Sequence, residues 1–356
     1  MKDTLERRVQ ALIASRPFDR DARAERDALL AEVARWQVDH VGPFGKLARA
    51  RDARFDRGPD GWPALPTDVF RHARVSAHDP SEDRITFRTS GTTSGARGEH
   101  HLQHVLTYCM AAETMAEHAL FRGDKRALVI LAPPMIDAPD SSLSFMLEAF
   151  EARFGIATTW AWTDGMIDVE RARDALHGAR SSVAVLGTSF ALVHFLDTTL
   201  GERFPLPPGS LVMQTGGFKG RSREIDARTL RRMLAETFGV PEHFVVSEYG
   251  MTELSSQLYG DGVVNARLAG DGVERLMVPP WVRVTACDPD TLRPVRDGEI
   301  GVLRIDDLAN LDACCSIQTA DLGRVEGERV ILLGRAPGAT PRGCSLAIEE
   351  AIGATR

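Results

Sequence analysis

Hydrophobic and polar residues along the middle of the chain form a repeating pattern of strand-like and helix-like segments. Short apolar runs recur there, and longer amphipathic segments lie between them. The runs predict strands at 127–132, 158–162, 183–186, 211–214 and 244–247, and the amphipathic segments predict helices at 143–154, 169–177, 190–199 and 223–238. This alternation is typical of a mostly parallel sheet covered by helices, and it predicts the α/β class.

The pattern changes at both ends of the chain. Residues 1–40 are charged and amphipathic, with apolar side chains at helical spacing. From about residue 277 the apolar runs are short and separated by turns, at 281–286, 300–305 and 329–333. We therefore expect an N-terminal helical segment at 1–57, an α/β core at 58–276, and a smaller β-rich subdomain with a terminal helix at 277–356.

Composition and charge narrow the class of protein. The chain has 356 residues, of which 50 are acidic and 43 basic, and no basic stripe is present, so no nucleic-acid partner is expected. The charged N-terminus and the absence of a long apolar run predict neither a signal peptide nor a membrane span. Five cysteines form no paired motif, which indicates a reducing cytoplasm.

The segment 88–98 is rich in glycines and hydroxyls and follows a strand-like run at 84–87. Glycines let backbone N–H groups face an anion, and the hydroxyls and Arg97 add donors to phosphate oxygens. The segment therefore predicts a phosphate-binding loop followed by a helix at 101–120, with an ordinary surface loop as the alternative. Its predicted nucleotide contacts are Thr89, Ser90, Gly91, Thr92, Thr93 and Gly95.

The loop and two later segments occur in the order found in adenylate-forming enzymes, the superfamily of acyl-CoA synthetases, adenylation domains and luciferases. The loop resembles their Thr-Ser-Gly-Thr-Thr-Gly-x-x-Lys-Gly motif, although Ser94 is additional and Arg97 replaces the usual lysine. Residues 247–253 resemble the Tyr-Gly-x-Thr-Glu motif, and residues 319–324 with 333–335 resemble the Thr-Gly-Asp and Gly-Arg motifs.

This resemblance implies ATP and Mg²⁺ as cofactors. An aromatic face suits a purine, and a carboxylate oxygen suits a hard cation. The implied contacts are Gly216, Gly217, Tyr249 and Gly250 at the adenine, Thr252 at the α-phosphate, Glu253 at Mg²⁺, Asp321 at the ribose and Arg335 on the same nucleotide.

Four further stretches resemble the LuxE-like acyl-protein synthetases: 65–70, 138–146, 215–220 and 342–346. The likeness spans roughly residues 60–350. It implies ATP-dependent activation of a carboxylic acid to an acyl-AMP, with release of pyrophosphate, and then transfer of the acyl group to an enzyme or partner cysteine. The acid, fatty or aryl, and the oligomeric state do not follow from the sequence.

The lysine that neutralises the leaving pyrophosphate is expected at an unusual place. In full-length adenylating ligases that lysine belongs to a mobile domain after the Gly-Arg motif, and only 21 residues follow Arg335 here. We expect Lys219 to take this role, and Arg97 is the other candidate cation. A solvated surface lysine is the alternative for Lys219.

Cys344 is the expected acyl acceptor. Arg335 and Arg342 lie near it in sequence and a helix-like segment follows, and both features lower the pKa of a thiol. The resemblance also implies an acyl-carrying cysteine near the C-terminus. If Cys344 is instead structural, the acyl-AMP would pass directly to CoA, a carrier-protein thiol or an amine. A non-catalytic nucleotide-binding module is a third interpretation, which the retained Glu253, Asp321 and Arg335 disfavour.

One other cluster could bind a ligand. Glu99, His100, His101 and His104 have the helical spacing of a zinc site. No second group of ligands and no His-Glu-x-x-His order accompany them. A solvated or substrate-lining helix start is therefore preferred.

Overall fold

The computed structural model describes residues 1–90, 96–216, 225–336 and 342–352, with the main chain alone for 342–346. These residues form two units. One comprises Met1–Thr114, Met251–Gln257 and Met277–Arg356, and the other Met115–Gly250 and Leu258–Leu276. The domain limits expected from the sequence remain predictions, because packing alone does not test whether a segment folds independently.

Both kinds of secondary structure occur in the two units. The helices are α1 (Lys2–Ala14), α2 (Arg23–His40), α3 (Gly42–Ala50), α4 (Leu106–Ala116), α5 (Ser142–Phe154), α6 (Val169–His177), α7 (Ser189–Thr198), α8 (Ala227–Phe238), α9 (Gly262–Asn265) and α10 (Arg342–Ile352). The strands are β1 (Leu65–Pro66), β2 (Ile85–Arg88), β3 (Glu99–Leu102), β4 (Arg126–Leu131), β5 (Gly155–Trp160), β6 (Trp162–Thr163), β7 (Met166–Ile167), β8 (Val183–Thr188), β9 (Leu211–Thr215), β10 (Val245–Tyr249), β11 (Leu258–Gly260), β12 (Leu276–Met277), β13 (Val282–Cys287), β14 (Ile300–Asp307), β15 (Ser316–Glu326) and β16 (Arg329–Arg335). In the part of the chain so described, no helix has the length and apolar character needed to cross a membrane.

A mostly parallel sheet forms the centre of the second unit. Its parallel strands lie in the order β10, β9, β8, β4, β5, and β11 is antiparallel to β10. Thr188 pairs with Thr215 and Thr215 pairs with Glu248, so the carboxyl ends of three neighbouring strands lie level. In parallel sheets this edge is where ligands bind.

Side-chain caps explain where the helices of this unit begin. Asp168, Thr188 and Asp226 accept hydrogen bonds from backbone N–H groups in the first turns of α6, α7 and α8. Gly239 ends α8 at a φ of 63°, a conformation that favours glycine. These polar caps separate the apolar runs, which is why the sequence pattern locates the helices well.

An antiparallel sheet dominates the C-terminal part of the first unit. Its strands lie in the order β13, β14, β15, β16, and β1 pairs in parallel with the start of β15. The expected α/β class, with a mostly parallel sheet and a more β-rich C-terminal part, is confirmed. The sequence does not predict β15, because Gln318, Thr319 and Asp321 interrupt its apolar run. Gln318 and Thr319 are nevertheless buried, because each donates to the carbonyl oxygen of Leu303 on the adjacent strand.

The helix expected at 101–120 begins later than predicted. Residues Glu99–Leu102 form β3, which pairs antiparallel with β2, and α4 begins only at Leu106. His100 lies opposite Phe87, and His101 lies opposite Thr86. A strand of only four residues shows too little alternation of side chains to be told apart from the start of a helix in the sequence. The strands on either side of the predicted phosphate loop therefore pair with each other.

Candidate active site

The hairpin of β2 and β3 shapes the base of the predicted phosphate loop. Thr89 N–H donates to the Gly98 carbonyl at 3.0 Å, and Gly98 N–H donates to Thr89 Oγ1 at 2.9 Å. Arg97 donates from Nε to the Thr89 carbonyl at 2.6 Å and from Nη2 to the Arg88 carbonyl at 3.1 Å. Ser90 is exposed beside this base. The rest of the predicted contacts, Gly91, Thr92, Thr93 and Gly95, lie outside the described residues.

The predicted phosphate and metal residues, Thr252 and Glu253, lie in the segment 251–257 of the first unit. His100 Nδ1 is 2.6 Å from the Thr252 carbonyl oxygen. A carbonyl oxygen can only accept, so Nδ1 carries the proton. Burial lowers the pKa of His100 to about 4, so this ring is neutral at pH 7. The hairpin that carries the phosphate loop is thus bonded directly to the segment that carries Glu253.

Two buried side chains, one at the end of β14 and one in the turn after it, hold the same segment. Asn310 Nδ2 donates to the Glu253 carbonyl at 2.8 Å. Asp307 accepts from Ser255 N–H at 3.0 Å and from the Ser256 hydroxyl at 2.7 Å. The sequence pattern does not indicate these roles for His100, Asp307 or Asn310. The only sequence signal was polar residues inside an otherwise apolar run at 303–315.

Glu253 has the electrostatics of a cation ligand. The residue is 8% exposed, and burial raises the pKa of its carboxyl to about 7, while Arg71 and Arg335 act in the opposite direction. A carboxylate that burial disfavours as an anion gains stability when a cation binds it. One carboxylate together with substrate phosphates is a usual Mg²⁺ environment. This donor chemistry fits Mg²⁺.

Asp321 and Arg335, the residues implied for the nucleotide, lie opposite each other on β15 and β16. Arg335 Nε donates to Asp321 Oδ1 at 3.3 Å. The backbone N–H of Asp321 is bound by Thr319 Oγ1 at 3.1 Å. The side chain of Asp321 is 18% exposed and that of Arg335 is 74% exposed, so the carboxylate is held while the guanidinium can reorient.

The second unit carries the residues implied for the adenine. Gly216 follows β9 with a φ of 72°, and its carbonyl accepts from the Ser189 hydroxyl at 2.8 Å. Tyr249 ends β10 and Gly250 follows it. Next to them the Thr215 hydroxyl donates to Glu248, whose pKa burial raises to about 7. Gly217 and Lys219 lie outside the described residues.

The remaining predicted residues have separate surroundings. Cys344 lies in the first turn of α10, and only its main chain is described. His101 contacts Asp83 at 3.1 Å, whereas the neighbouring His100 contacts Thr252. Because β3 ends at Leu102 and α4 begins at Leu106, His100 and His101 do not share a helix with His104, and the helical spacing on which the zinc alternative rested is not formed.

Comparisons with known proteins identify the family of the chain. The family model described as acyl-protein synthetase, LuxE, matches residues 43–353. The long-chain-fatty-acid–luciferin-component ligase of Aliivibrio fischeri is 23% identical over 317 residues, which cover 82% of this chain and 79% of that protein. The ligase of the same name from Vibrio harveyi is 24% identical over 314 residues, which cover 82% and 78%.

Solved structures of adenylate-forming ligases share the fold. A 2-hydroxyisobutyryl-CoA ligase in complex with 2-HIB-AMP matches with a TM-score of 0.66 and 16% identity, over 88% of this chain and 68% of that one. ATP-bound MatB from Rhodopseudomonas palustris matches with a TM-score of 0.51 and 16% identity, over 73% of this chain. The match spans 49%, about half, of the MatB chain.

The family match covers most of the chain and includes the segments that carry Glu253, Asp321 and Arg335. The prediction of an ATP-dependent adenylate-forming ligase, which forms an acyl-adenylate and transfers the acyl group, is confirmed. The chain belongs to the LuxE family of acyl-protein synthetases.

Proposed function

We propose that this protein activates a long-chain fatty acid and that the first unit supplies the main catalytic groups. The carboxylate of the acid attacks the α-phosphorus of ATP, the bond to pyrophosphate breaks, and an acyl-AMP forms. The proposed acid class follows the names of the two relatives. Thr252 would contact the α-phosphate, Glu253 would hold Mg²⁺, and Asp321 and Arg335 would bind the ribose side of the nucleotide.

The 2.6 Å bond from His100 to the Thr252 carbonyl is the observation that carries this proposal. It joins the phosphate-loop hairpin to the segment that carries Glu253. Arg335 is also close enough to lower the pKa of Glu253. The residues proposed to contact phosphate, metal and ribose therefore belong to one unit, which supports the proposal.

Charge stabilisation explains how these residues would act. Mg²⁺, when bound, neutralises negative charge on the phosphate oxygens. Glu253 would hold the metal ion at a defined place, because Asn310 fixes the main chain of Glu253. Asp321 would accept hydrogen bonds from ribose hydroxyls with the acceptor sites that Arg335 leaves open. Lys219 is proposed to neutralise the leaving pyrophosphate.

The second half-reaction is proposed to use Cys344. Its position in the first turn of α10 supports this role, because a helix N-terminus favours the thiolate. The thiolate attacks the acyl carbon, the bond to AMP breaks, and a thioester remains. We further propose that the acyl group passes from the Cys344 thioester to a partner protein. The proposed location of the enzyme is the cytoplasm. The four described cysteines, Cys109, Cys287, Cys314 and Cys315, are free thiols, which supports a reducing compartment.

An ATP–pyrophosphate exchange assay with a panel of fatty and aryl acids tests the proposal. We expect exchange to be highest with long-chain fatty acids. Glu253→Gln should lower turnover by about 10²-fold or more, because a metal ligand acts on the transition state. Asp321→Ala should mainly raise the KM for ATP, because a ribose contact acts largely on the ground state. Glu274→Gln is the matched control, since burial also raises the pKa of Glu274 but its carboxylate binds Ser247.

The outcomes separate the possible functions. Normal exchange in Glu253→Gln and Asp321→Ala would refute the residue assignment. A preference for aryl acids would refute the proposed acid class. Consumption of CoA or an amine without labelling of the protein would show direct transfer of the acyl group instead.

A further inference from the structure

The N-terminal helices reach the turn that supports Glu253, although the family match begins only at residue 43. Gln37, near the end of α2, is fully buried in the first unit. Its Nε2 donates to the carbonyl oxygens of Asn310 at 3.1 Å and Leu311 at 2.9 Å. Its Oε1 accepts from Cys315 N–H at 2.8 Å. One amide thus binds both ends of the segment 310–315.

Asn310 connects this segment to Glu253. Its Nδ2 donates to the Glu253 carbonyl and to the Cys314 carbonyl, each at 2.8 Å. Its Oδ1 accepts from the Ser255 hydroxyl at 3.3 Å. An unbroken series of hydrogen bonds therefore runs from α2 through Asn310 to the main chain of the predicted metal ligand.

Helix α1 holds the same segment at a second point. Lys2 forms an ion pair with Asp312 at 2.7 Å. The other oxygen of Asp312 accepts from the N–H groups of Gln103 at 2.8 Å and His104 at 3.1 Å. These two residues directly follow β3, so α1 supports the segment 310–315 and the end of the phosphate-loop hairpin together.

We propose that Gln37 and Asn310 are positioning residues for Glu253, and that the N-terminal helices are part of the support of the active site. This inference rests on the proposed role of Glu253 in the first half-reaction. Neither side chain needs to touch the substrate. Their function is to fix the main chain at 252–256, so that the Glu253 carboxylate is placed before Mg²⁺ and ATP bind. Residues behind a metal ligand act in this way in many metal sites.

Two near-isosteric substitutions test the proposal. Asn310→Asp and Gln37→Glu each replace an NH₂ group by an oxygen that faces two carbonyl oxygens. Ser255→Ala removes only the 3.3 Å bond to Asn310, and it provides a mild variant where the others fail to fold. Leu30→Ala is the control, because it opens a cavity in the same helix α2 without removing a bond to the segment.

The first measurement needs neither ATP nor metal. Hydrogen–deuterium exchange of the ligand-free protein should become faster at 252–257 and 310–315 in the test variants. Leu30→Ala should not produce this selective change. The second measurement is Mg²⁺ titration of ATP–pyrophosphate exchange. The half-saturating Mg²⁺ concentration should rise about tenfold or more in Asn310→Asp and Gln37→Glu, with the KM for the acid unchanged.

The results distinguish this inference from the proposed function. The positioning role is refuted if the folded variants keep the wild-type rate of hydrogen–deuterium exchange at 252–257 and the wild-type Mg²⁺ titration. This conclusion requires that Glu253→Gln does shift the Mg²⁺ titration. If Glu253→Gln leaves the Mg²⁺ titration unchanged, the proposed role of Glu253 fails. The hydrogen-exchange result then still decides whether Gln37 and Asn310 order the segment.

Discussion

His100 should make the stability of this protein depend on pH. Its ring is fully buried, and burial lowers its pKa from the ordinary 6.5 to about 4. Between these two values the unfolded chain binds a proton that the folded chain does not. Each unit of pKa difference is worth about 1.4 kcal/mol, so the whole difference corresponds to about 3 kcal/mol of folding free energy. This stabilising contribution is fully present above pH 6.5 and is lost as the pH falls towards 4.

Urea unfolding of the wild type and His100→Asn at several pH values between 7 and 4 measures the effect. An asparagine at this position keeps an N–H donor for the Thr252 carbonyl but does not ionise. We expect the difference in unfolding free energy between the two proteins to shift by about 3 kcal/mol in favour of the variant as the pH falls.

Comparing the two proteins removes the contributions of other groups. Burial raises the pKa of Glu248 to about 7 and that of Asp307 to about 6, so these groups favour folding as the pH falls. Both contributions are the same in the wild type and the variant. His243→Asn is a control at a half-buried histidine whose pKa burial also lowers, and it should give a smaller shift. Unfolding free energies that differ by a constant amount at every pH would refute the reasoning.

The remaining predictions concern the two proposed chemical residues and one buried ion pair. Lys219→Ala should leave the melting temperature within a few degrees of the wild type but slow pyrophosphate exchange by about 10²-fold; unchanged exchange would transfer the role to Arg97 or a partner. Cys344→Ser should keep pyrophosphate exchange and lose covalent labelling by radiolabelled acid and ATP, and the wild-type label should be released by neutral hydroxylamine; a mutant that labels normally would show that Cys344 is structural. Asp306→Ala should lower the free energy of unfolding by about 3–5 kcal/mol, because it leaves Arg304 buried without the carboxylate that binds it at 2.8 Å; a loss below about 1 kcal/mol in urea unfolding would contradict this.

The sequence predicts those parts of the fold that depend on local pattern. The helix expected at 169–177 is α6, because Asp168 caps it and apolar residues follow at helical spacing. The strands that lead to Gly216 and Tyr249 are also found within a few residues, since each begins with a short apolar run. The order of the short motifs was sufficient to indicate the chemistry, although the motif at 319–324 lies inside β15, which the sequence pattern does not predict.

Buried polar residues were the part that the sequence could not predict. Gln37, His100 and Asn310 are far apart in the chain, and each is buried with a carbonyl oxygen of another segment as a hydrogen-bond partner. Such pairing depends on tertiary structure and leaves no periodic pattern. Strand β3 was missed for a related reason: its partner β2 lies on the far side of the loop.

The division of the chain into units has a consequence for the order of events during synthesis. The second unit is complete once residue 276 has left the ribosome, whereas the first unit combines Met1–Thr114 with segments made much later. The hydrogen bond of Gln37 to Cys315 can form only after Cys315 has been synthesised. Those of the segment 251–257 can form only after Asp307 and Asn310 have been synthesised. Contacts across such long stretches of chain form slowly. We therefore expect the buried amide of Gln37 to lack its hydrogen-bond partners for most of translation, until residues 310–315 have been made.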